Sequence, residues 1–356
     1  MSTHGESEEK QPLLHMDLDR KDGVLVYETP QYWEGSKVPQ WMRRVIEDVF
    51  SFVLIHYNMW PTPVVILFYY MVKNGYGLIV VALVALYLPR FLNGKHSTAD
   101  GGQWDAFRQM GIWQTSANFL GIKIIREQAL EAGKRYIFGY HPHGIIVMSR
   151  IATYGGNWEK LFPGIEYRVL GASTMFWVPF GRDLCLWLGG VDASRSTAEK
   201  VLKSNKSITV FPGGVPEIFL TDPKSKENVL VLKKRLGFVK LAIRQGADLV
   251  PCFVFNEKFL YKVWNPPKAL IAFFRKTLQI PLIFFWGRFL WMPLQPPKEK
   301  TFGIVYGKPI AVTQNENPTD EELHTVHAKY MAEIERLFND YKKTFGYDDD
   351  ETLVIT

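Results

Sequence analysis

Two histidines in this chain have the residue type and spacing for acid–base chemistry. They stand in the stretch His141-Pro-His-Gly144, directly after Tyr136-Ile-Phe-Gly-Tyr140, an apolar and aromatic run that predicts a short buried strand. The proline fixes φ and the glycine permits a sharp turn, so both imidazoles would be held in a defined conformation. Histidine titrates near neutral pH and is therefore suited to general base catalysis. The alternative is a strand-end turn with two solvated histidines, which four residues alone do not exclude.

Three segments further along the chain could complete a site. Arg195 follows a Gly-rich turn and precedes a predicted helix. The stretch Val210-Phe-Pro-Gly-Gly-Val-Pro-Glu217 predicts a strand end, a Gly-Gly loop and then a carboxylate. Residues 235–251 predict a helix followed by a strand that ends in Val-Pro. Taken singly, each segment is equally well explained by a helix-flanking ion pair, a strand-to-helix turn or an ordinary helix–strand unit.

In this order and spacing, the four segments resemble the glycerolipid acyltransferase superfamily and, within it, the diacylglycerol acyltransferase type 2 family. The superfamily pattern is matched at His141, at Gly189–Arg195, at Phe211–Gly214 and at Val250-Pro251. The His-Pro-His-Gly form, the Gly-Gly-x-x-Glu loop and Arg-x-Gly-Phe-x-Lys-x-Ala point to the type 2 family. The resemblance covers about residues 45–345. It implies transfer of an acyl group from acyl-CoA to the hydroxyl of diacylglycerol, which gives triacylglycerol and CoA.

The sequence departs from the superfamily in the residue that orients the histidine. The superfamily motif places an aspartate five residues after the histidine, and here that position is Ile146 or Met148, depending on the histidine from which it is counted. Neither side chain can orient an imidazole. We therefore expect a carboxylate from elsewhere in the chain, with Glu217 as the first candidate and Asp192 as the second.

The resemblance also implies roles for the individual site residues. An alcohol attacks well only when a base accepts its proton, and we expect His141, nearest the strand end, to be that base. His143 would shape the site or donate to the thioester oxygen. The backbone amides of Gly213 and Gly214 are expected to bind the tetrahedral oxyanion. Since no serine or cysteine stands in a Gly-x-Ser-x-Gly context, direct transfer in a ternary complex is favoured.

Basic side chains are candidates for the phosphates of CoA, and the alternatives are a solvated helix face or contact with lipid head groups. The candidates are Arg195, Lys233, Lys234, Arg235 and Lys240. We expect no cofactor and no metal, with acyl-CoA as a substrate. His324 and His327 lie one helical turn apart but lack an evident third ligand, so solvated histidines are expected there.

The composition is consistent with a protein that works at a membrane. The 356 residues include 14% aromatic residues, a type that gathers where apolar and aqueous phases meet. The net charge of +6 is dispersed and no recognition motif is present, which argues against nucleic acid as a partner. Two cysteines, Cys185 and Cys252, give no disulfide framework and favour a cytosol-facing protein.

The N-terminal part predicts a membrane hairpin. Residues 1–44 are expected to be a mostly disordered cytosolic segment. Residues 45–92 hold apolar runs on either side of Lys73-Asn-Gly75, and the last run has eleven residues, whereas a span needs about 20. A helical hairpin, embedded from one side or thinly spanning twice, is therefore expected, with basic residues placing both ends in the cytosol. The alternative is a buried helix pair of a soluble fold.

Residues 103–346 are predicted to form an α/β domain with a mainly parallel sheet covered by helices, followed by a tail at 347–356. Helices are expected at Gln103–Leu120, Thr174–Leu188, Ser196–Lys203, Leu236–Arg244 and Asn317–Phe345. Strands are expected at Tyr136–Tyr140, Glu166–Leu170, Ser207–Phe211, Asp248–Phe255 and Thr301–Tyr306. The apolar stretch Ala269–Leu294 is interpreted as an interfacial element or a wall of an acyl pocket.

These expectations describe an enzyme of the endoplasmic reticulum membrane whose catalytic domain faces the cytosol, with lipid droplets as a further location. Its expected partners are acyl-CoA, diacylglycerol and membrane lipid, and the aromatic surface leaves room for a homodimer. The acceptor alternatives are monoacylglycerol and a long-chain alcohol. A non-catalytic lipid-droplet coat protein would explain the hairpin but not the ordered motifs. The sequon at Asn205 is expected to be unmodified, because it lies in the cytosolic domain.

Overall fold

The computed structural model describes residues 24–27, 33, 36–264, 267 and 284–356. Residues 1–23 of the segment 1–44, which we predicted to be mostly disordered, lie outside this set, as does most of the stretch Ala269–Leu294. The strands are β1 (Leu25–Tyr27), β2 (Lys123–Arg126), β3 (Tyr136–His141), β4 (Tyr167–Gly171), β5 (Gly190–Asp192), β6 (Ser207–Val210), β7 (Glu227–Leu230), β8 (Asp248–Phe255), β9 (Lys262–Trp264), β10 (Phe284–Trp286), β11 (Gly303–Tyr306) and β12 (Thr352–Ile355).

The described helices lie before, between and after these strands. They are α1 (Gln40–Ile55), α2 (Pro61–Lys73), α3 (Gly77–Leu92), α4 (Asp105–Arg108), α5 (Trp113–Leu120), α6 (Asn157–Leu161), α7 (Gly181–Trp187), α8 (Arg195–Lys203), α9 (Val215–Leu220), α10 (Gly237–Gln245) and α11 (Asp320–Tyr341). A 3₁₀ helix, Met148–Thr153, follows the histidine motif.

The main sheet has eight strands in the order β1-β2-β11-β8-β3-β6-β4-β5. The pairs β2–β11, β8–β3, β3–β6, β6–β4 and β4–β5 are parallel, and β1–β2 and β11–β8 are antiparallel. The prediction of a mainly parallel α/β sheet is confirmed. The central strand β3 lies between β8 and β6, so residues after the carboxyl ends of these strands meet at one edge of the sheet.

Both faces of the sheet are buried, which explains why its central strands are continuous apolar runs. In β8, Val250, Cys252 and Val254 pack into one core, while Leu249 and Phe253 pack into the other. The second core also contains residues of α8, α10 and α11. Because side chains alternate along a strand, the last residue of β3 points to the face covered by α11.

Helix α11 begins as predicted from its capping box. The hydroxyl of Thr319 accepts a hydrogen bond from the Glu322 backbone amide, which satisfies one of the free donors of the first turn. Leu323, Tyr330 and Ile334 lie on its buried side. Residues 347–356, which we predicted as a tail, contribute β12, which pairs in parallel with β7. This strand was missed because four residues at the end of a chain carry little periodicity.

The N-terminal helices differ in how they contact the rest of the fold. Helix α1 packs on α5, whereas α2 and α3 contain no buried side chain; Leu78 is 87% exposed. In the described part of the chain, the helix at Gly77–Ser97 is long and apolar enough to cross a membrane. Helices α1 and α2 form a pair bent by 59° that passes the same test only when taken together.

Candidate active site

The histidine turn leaves the carboxyl end of β3, where the chain must turn out of the sheet. All six residues of β3 are buried, and the turn ends at Gly144 with φ of +68°. A Cβ at Gly144 would lie 2.2 Å from Oε1 of Glu257, so no other residue fits this position without displacing that side chain. The glycine of the motif is therefore required by both conformation and space.

The ring of His141 lies behind the turn and has no exposed surface. Its Nε2 is 3.1 Å from the Tyr330 hydroxyl, which donates its proton to the carbonyl of Gly139 at 3.1 Å. A phenol has a single proton, so Nε2 of His141 must be the donor in the first of these bonds. The Nδ1 atom faces Glu217, with 4.0 Å to Oε1. This nitrogen has no hydrogen-bond partner among the described residues, but the whole ring is buried, so neither ring nitrogen is open to a substrate.

Glu217 lies next to both histidines, at the start of α9, and is completely buried. Its Oε2 accepts a hydrogen bond from the His143 backbone amide at 2.7 Å, and its Oε1 accepts one from the Val231 amide at 2.9 Å. A Cβ at Gly213 would lie 1.9 Å from the Glu217 carboxyl carbon, so the first glycine of the Gly-Gly loop makes room for this carboxylate. Glu217 thus holds the backbone of the turn.

The ring of His143 lies on the other side of the turn and is partly exposed to a cavity. Its Nδ1 is 2.7 Å from the carbonyl oxygen of Gly144. Because a carbonyl can only accept, Nδ1 carries the proton and Nε2 keeps its lone pair. A backbone carbonyl thus orients this ring in the place where the superfamily motif would use an aspartate.

Asp192, the second candidate for an orienting carboxylate, is engaged elsewhere. It accepts hydrogen bonds from the Ser173 hydroxyl and, at 2.8 Å, from the Ser194 amide that precedes α8. Burial tends to raise the pKa of Asp192, but these hydrogen bonds outweigh it and hold the pKa below its usual value. The structure does not bring this carboxylate to either histidine.

The cavity beside His143 has a volume of about 1110 Å³ and is lined by side chains of two kinds. The basic lining residues are Arg150, Arg195, Lys234, Arg235, Lys240 and Arg244. Most of the other lining residues are apolar, and they include Leu54 and Ile55 at the end of α1 and Trp291. The cavity therefore reaches from the histidine turn to the N-terminal helices, and its size suits a large, partly apolar ligand.

The predicted binding residues divide between this cavity and its surroundings. Gly214 lines the cavity, whereas Gly213 lies behind its wall and accepts a hydrogen bond from Arg235 at 3.2 Å. Lys233 does not line it. Arg195 lines it but pairs with Glu199 at 2.7 Å, so part of its charge is already compensated.

The family model described as diacylglycerol acyltransferase matches residues 70–356. The chain belongs to this family.

Individual relatives agree with this family. Diacylglycerol O-acyltransferase 1 of Schizosaccharomyces pombe is 35% identical over 280 residues, which cover 75% of this chain and 79% of the relative. 2-Acylglycerol O-acyltransferase 1 of Mus musculus is 33% identical over 287 residues, 76% of this chain and 84% of the relative. Diacylglycerol O-acyltransferase 2 of Danio rerio is 31% identical over 288 residues, 76% and 78% of the two chains. No solved structure matches.

Two residues of the candidate site were not identified from the sequence. Tyr330 recurs at helical spacing with core residues, so nothing in the pattern marks its hydroxyl as a partner of His141. Glu257 lies two residues after the end of β8 and is buried under Gly144, where its Oε1 accepts a hydrogen bond from the Met148 amide at 3.3 Å. Burial, reinforced by nearby Glu217, raises the pKa of Glu257 well above its usual value.

Among the described residues, no group of three or more His, Cys, Asp or Glu side chains could hold a metal ion. His324 is exposed, as expected, but His327 is buried against Phe238, so the expectation of a solvated side chain is wrong for His327. On the same helix, the His324 side chain faces outward and the His327 side chain faces the core.

Proposed function

We propose that the chain transfers an acyl group from acyl-CoA to the free hydroxyl of diacylglycerol. The observation that carries this proposal is a single cavity in which an imidazole with a free Nε2 lies between basic side chains and apolar walls. A CoA thioester needs cations for its phosphates, and a diacylglycerol needs an apolar wall for its chains. The names of the relatives from Schizosaccharomyces pombe and Danio rerio, both diacylglycerol O-acyltransferases, support the same reaction.

In the proposed mechanism, His143 is the base. Its Nε2 accepts the proton of the acceptor hydroxyl while the hydroxyl oxygen attacks the thioester carbon. The tetrahedral intermediate then breaks its carbon–sulfur bond, and the departing thiolate takes the proton back from His143. General base catalysis of this kind contributes about 10²- to 10⁴-fold in rate. This assignment replaces our expectation of His141, whose Nε2 is occupied by Tyr330 and whose ring is buried.

His141 and Glu217 act as positioning residues in this proposal. Glu217 fixes the His143 backbone amide, and the His141 ring packs between that carboxylate and Tyr330 on α11. Gly214 lies on the cavity wall, so its amide is the better placed oxyanion donor of the Gly-Gly pair.

Basic side chains around α10 are proposed to bind the CoA phosphates. Lys234, Arg235 and Lys240 line the cavity together with Arg244, a residue on the same helix that the sequence motifs did not single out. Four cations on one short segment are suited to several phosphate oxygens. No cofactor or metal takes part in this mechanism.

The exposed apolar helices support a membrane location. Neither α2 nor α3 has a buried side chain, which argues against a helix pair in the core of a soluble fold and for a hairpin in the bilayer. We propose the endoplasmic reticulum membrane, with the α/β domain of residues 103–346 on the cytosolic side and lipid droplets as a further location. In that orientation the sequon at Asn205 remains unmodified. We also propose that the α/β domain has a glycerolipid acyltransferase-like fold and that the protein forms a homodimer.

Expression in a cell that lacks triacylglycerol synthesis tests the reaction. Restored triacylglycerol from labelled acyl-CoA and diacylglycerol is the expected result. A product made only from monoacylglycerol would favour the second candidate, which is supported by the mouse relative named 2-acylglycerol O-acyltransferase 1. A wax ester would indicate a long-chain alcohol as acceptor. Stable protein with no lipid product would overturn the enzymatic proposal and favour a coat protein.

A further inference from the structure

Arg150 is a cation in the cavity that the proposed mechanism does not use. It lies on the 3₁₀ helix Met148–Thr153, a few residues after the histidine turn, and lines the same cavity as His143. Its Nε is fully buried and has no hydrogen-bond partner among the described residues. The guanidinium carbon lies 6.0 Å from the centre of the Tyr154 ring.

The surroundings of Arg150 supply no negative charge. No ion pair joins it to a carboxylate in the part of the chain that the structure describes. Its polar neighbours are Tyr57, Tyr154, Tyr167 and Cys185, and the guanidinium donates a hydrogen bond to Tyr154. Burial raises the pKa of Tyr154 to about 12 and also raises the pKa of the Cys185 thiol, so both stay neutral at physiological pH. The guanidinium therefore keeps an uncompensated charge.

The buried arginines Arg108, Arg168 and Arg182 each make at least one ion pair or hydrogen bond to a carboxylate, a side-chain amide oxygen or a backbone carbonyl. Arg108 pairs with Glu159 at 2.6 Å, and Arg182 donates to the side-chain oxygen of Asn93 at 2.6 Å. Arg168 donates to the side chain of Gln103 and to two backbone carbonyls. A buried cation without such partners is unfavourable unless a ligand supplies them. The Arg150 guanidinium can therefore donate hydrogen bonds to oxygen atoms of a bound ligand.

The elements around Arg150 indicate which substrate brings these oxygens. The proposed CoA-binding cations lie on and before α10, whereas Arg150 lies by Tyr57, which follows α1, and by Cys185 of α7. Helix α7 is in turn joined to α3 by the ion pair of Asp183 with Arg90 at 2.7 Å. The side of the cavity at Arg150 is therefore formed by elements that contact the apolar helices. The substrate that enters from these helices is the lipid acceptor.

We propose that Arg150 determines acceptor specificity by donating hydrogen bonds to the ester carbonyl oxygens of the acceptor glycerolipid. A guanidinium presents several N–H donors in one plane and can bind two oxygens at once. A diacylglycerol offers two ester carbonyls near its free hydroxyl, while a long-chain alcohol offers none. The inference rests on the proposed acyl transfer to diacylglycerol and names the residue that distinguishes this acceptor.

The test compares acceptors in the full-length, membrane-embedded enzyme. Arg150→Gln should raise KM for diacylglycerol about tenfold or more, as expected for the loss of a charged hydrogen bond, with KM for acyl-CoA unchanged. Activity on a long-chain alcohol should stay near the wild-type level. A 1-O-alkyl-2-acylglycerol, which lacks one carbonyl, should show a smaller effect than diacylglycerol. Arg150→Lys, which keeps the charge, should lie between the wild type and Arg150→Gln.

Two controls keep the outcome decisive. Lys240→Gln should raise KM for acyl-CoA and leave KM for diacylglycerol unchanged, the opposite of Arg150→Gln. The melting temperature of Arg150→Met should equal or exceed that of the wild type, because the variant removes an uncompensated charge. An equal loss on every acceptor, a rise in KM for acyl-CoA alone, or no change would overturn the inference. Wild-type enzyme inactive on diacylglycerol would instead refute the proposed function.

Discussion

The two sides of the histidine turn are built for different tasks. On the packed side, His141, Glu217 and Tyr330 are completely buried, and the polar atoms of Glu217 and Tyr330 are bonded. On the cavity side, His143 uses one ring nitrogen for the Gly144 carbonyl and leaves the other free. The comparison shows that the reaction needs one polar atom, Nε2 of His143, without a hydrogen-bond partner. The packed side must form hydrogen bonds with nearly all of its polar atoms, because these bonds hold His143 in place.

Truncation of each histidine separates the two sides most strongly. His143→Ala should lower kcat by about 10²- to 10⁴-fold through loss of the base, with little change in melting temperature. His141→Ala should lower the melting temperature as well, because it empties a buried position and leaves the Tyr330 hydroxyl without its ring partner. Both variants are assayed in membranes with labelled acyl-CoA, beside His324→Ala at an exposed position. Wild-type turnover by His143→Ala would contradict the assignment.

Removal of the buried carboxylate tests whether the packed side supports the cavity side. Glu217→Ala leaves the His143 and Val231 amides without acceptors, at a cost of about 1–3 kcal/mol each in unfolding free energy. Activity should fall with stability, because the His143 backbone loses its anchor. Glu217→Gln retains one acceptor oxygen, so it should keep part of the stability and part of the activity that Glu217→Ala loses. Chemical unfolding and kcat are measured on the same preparations; equal values for Gln and Ala would show that the backbone bonds are unimportant.

A smaller effect is expected at Tyr330, which touches only the packed side. Tyr330→Phe removes the hydroxyl that joins His141 to Gly139 and should lower the unfolding free energy by about 1–3 kcal/mol. The rate should fall only severalfold, with KM for both substrates unchanged, because the free Nε2 of His143 is retained. Unfolding measurements combined with steady-state kinetics check this. A loss of rate as large as that of His143→Ala would mean that the tyrosine takes part in the chemistry.

The pH dependence of stability should reveal the second carboxyl under the turn. Burial raises the pKa of Glu257 above its value in the unfolded chain, so its stabilising contribution is present at low pH and is lost as pH rises through the folded-state pKa. Glu257→Gln removes this titration. The melting temperature of the variant relative to the wild type should therefore increase with pH. A difference that is constant between acidic and alkaline pH would contradict a raised pKa.

The sequence predicted the central strands because they are buried on both faces. Asp248–Phe255 has the bounds expected from its apolar run, and β3 differs by one residue. By contrast, the helix expected at Thr174–Leu188 is divided, since Pro179 and the positive φ of Phe180 separate a 3₁₀ turn from α7. Short strands such as β1 and β5 depend on their neighbours in the sheet and leave almost no local signal.

The candidate site was predictable in composition but not in arrangement. Glu217 could be named because it is the carboxylate that closes the Gly-Gly loop. His141 and His143 are two residues apart and would share one face of a continuing strand; they point in opposite directions because β3 ends at His141 and the chain turns out of the sheet there. Arg150 lies in no recognised motif. Its proposed role could be inferred only from the structure, where no described carboxylate pairs with it.

The contacts between α3 and α7 bear on how the enzyme meets its substrate. Tyr87 and Arg90 donate to the Asp183 carboxylate, and Arg182 donates to Asn93. In the proposed membrane location, where α3 lies in the bilayer, these bonds would set the height of the cavity above the lipid surface. Turnover would then follow the mole fraction of diacylglycerol in the membrane instead of its bulk concentration, so dilution of the acceptor with inert lipid should slow the reaction even when total diacylglycerol is constant.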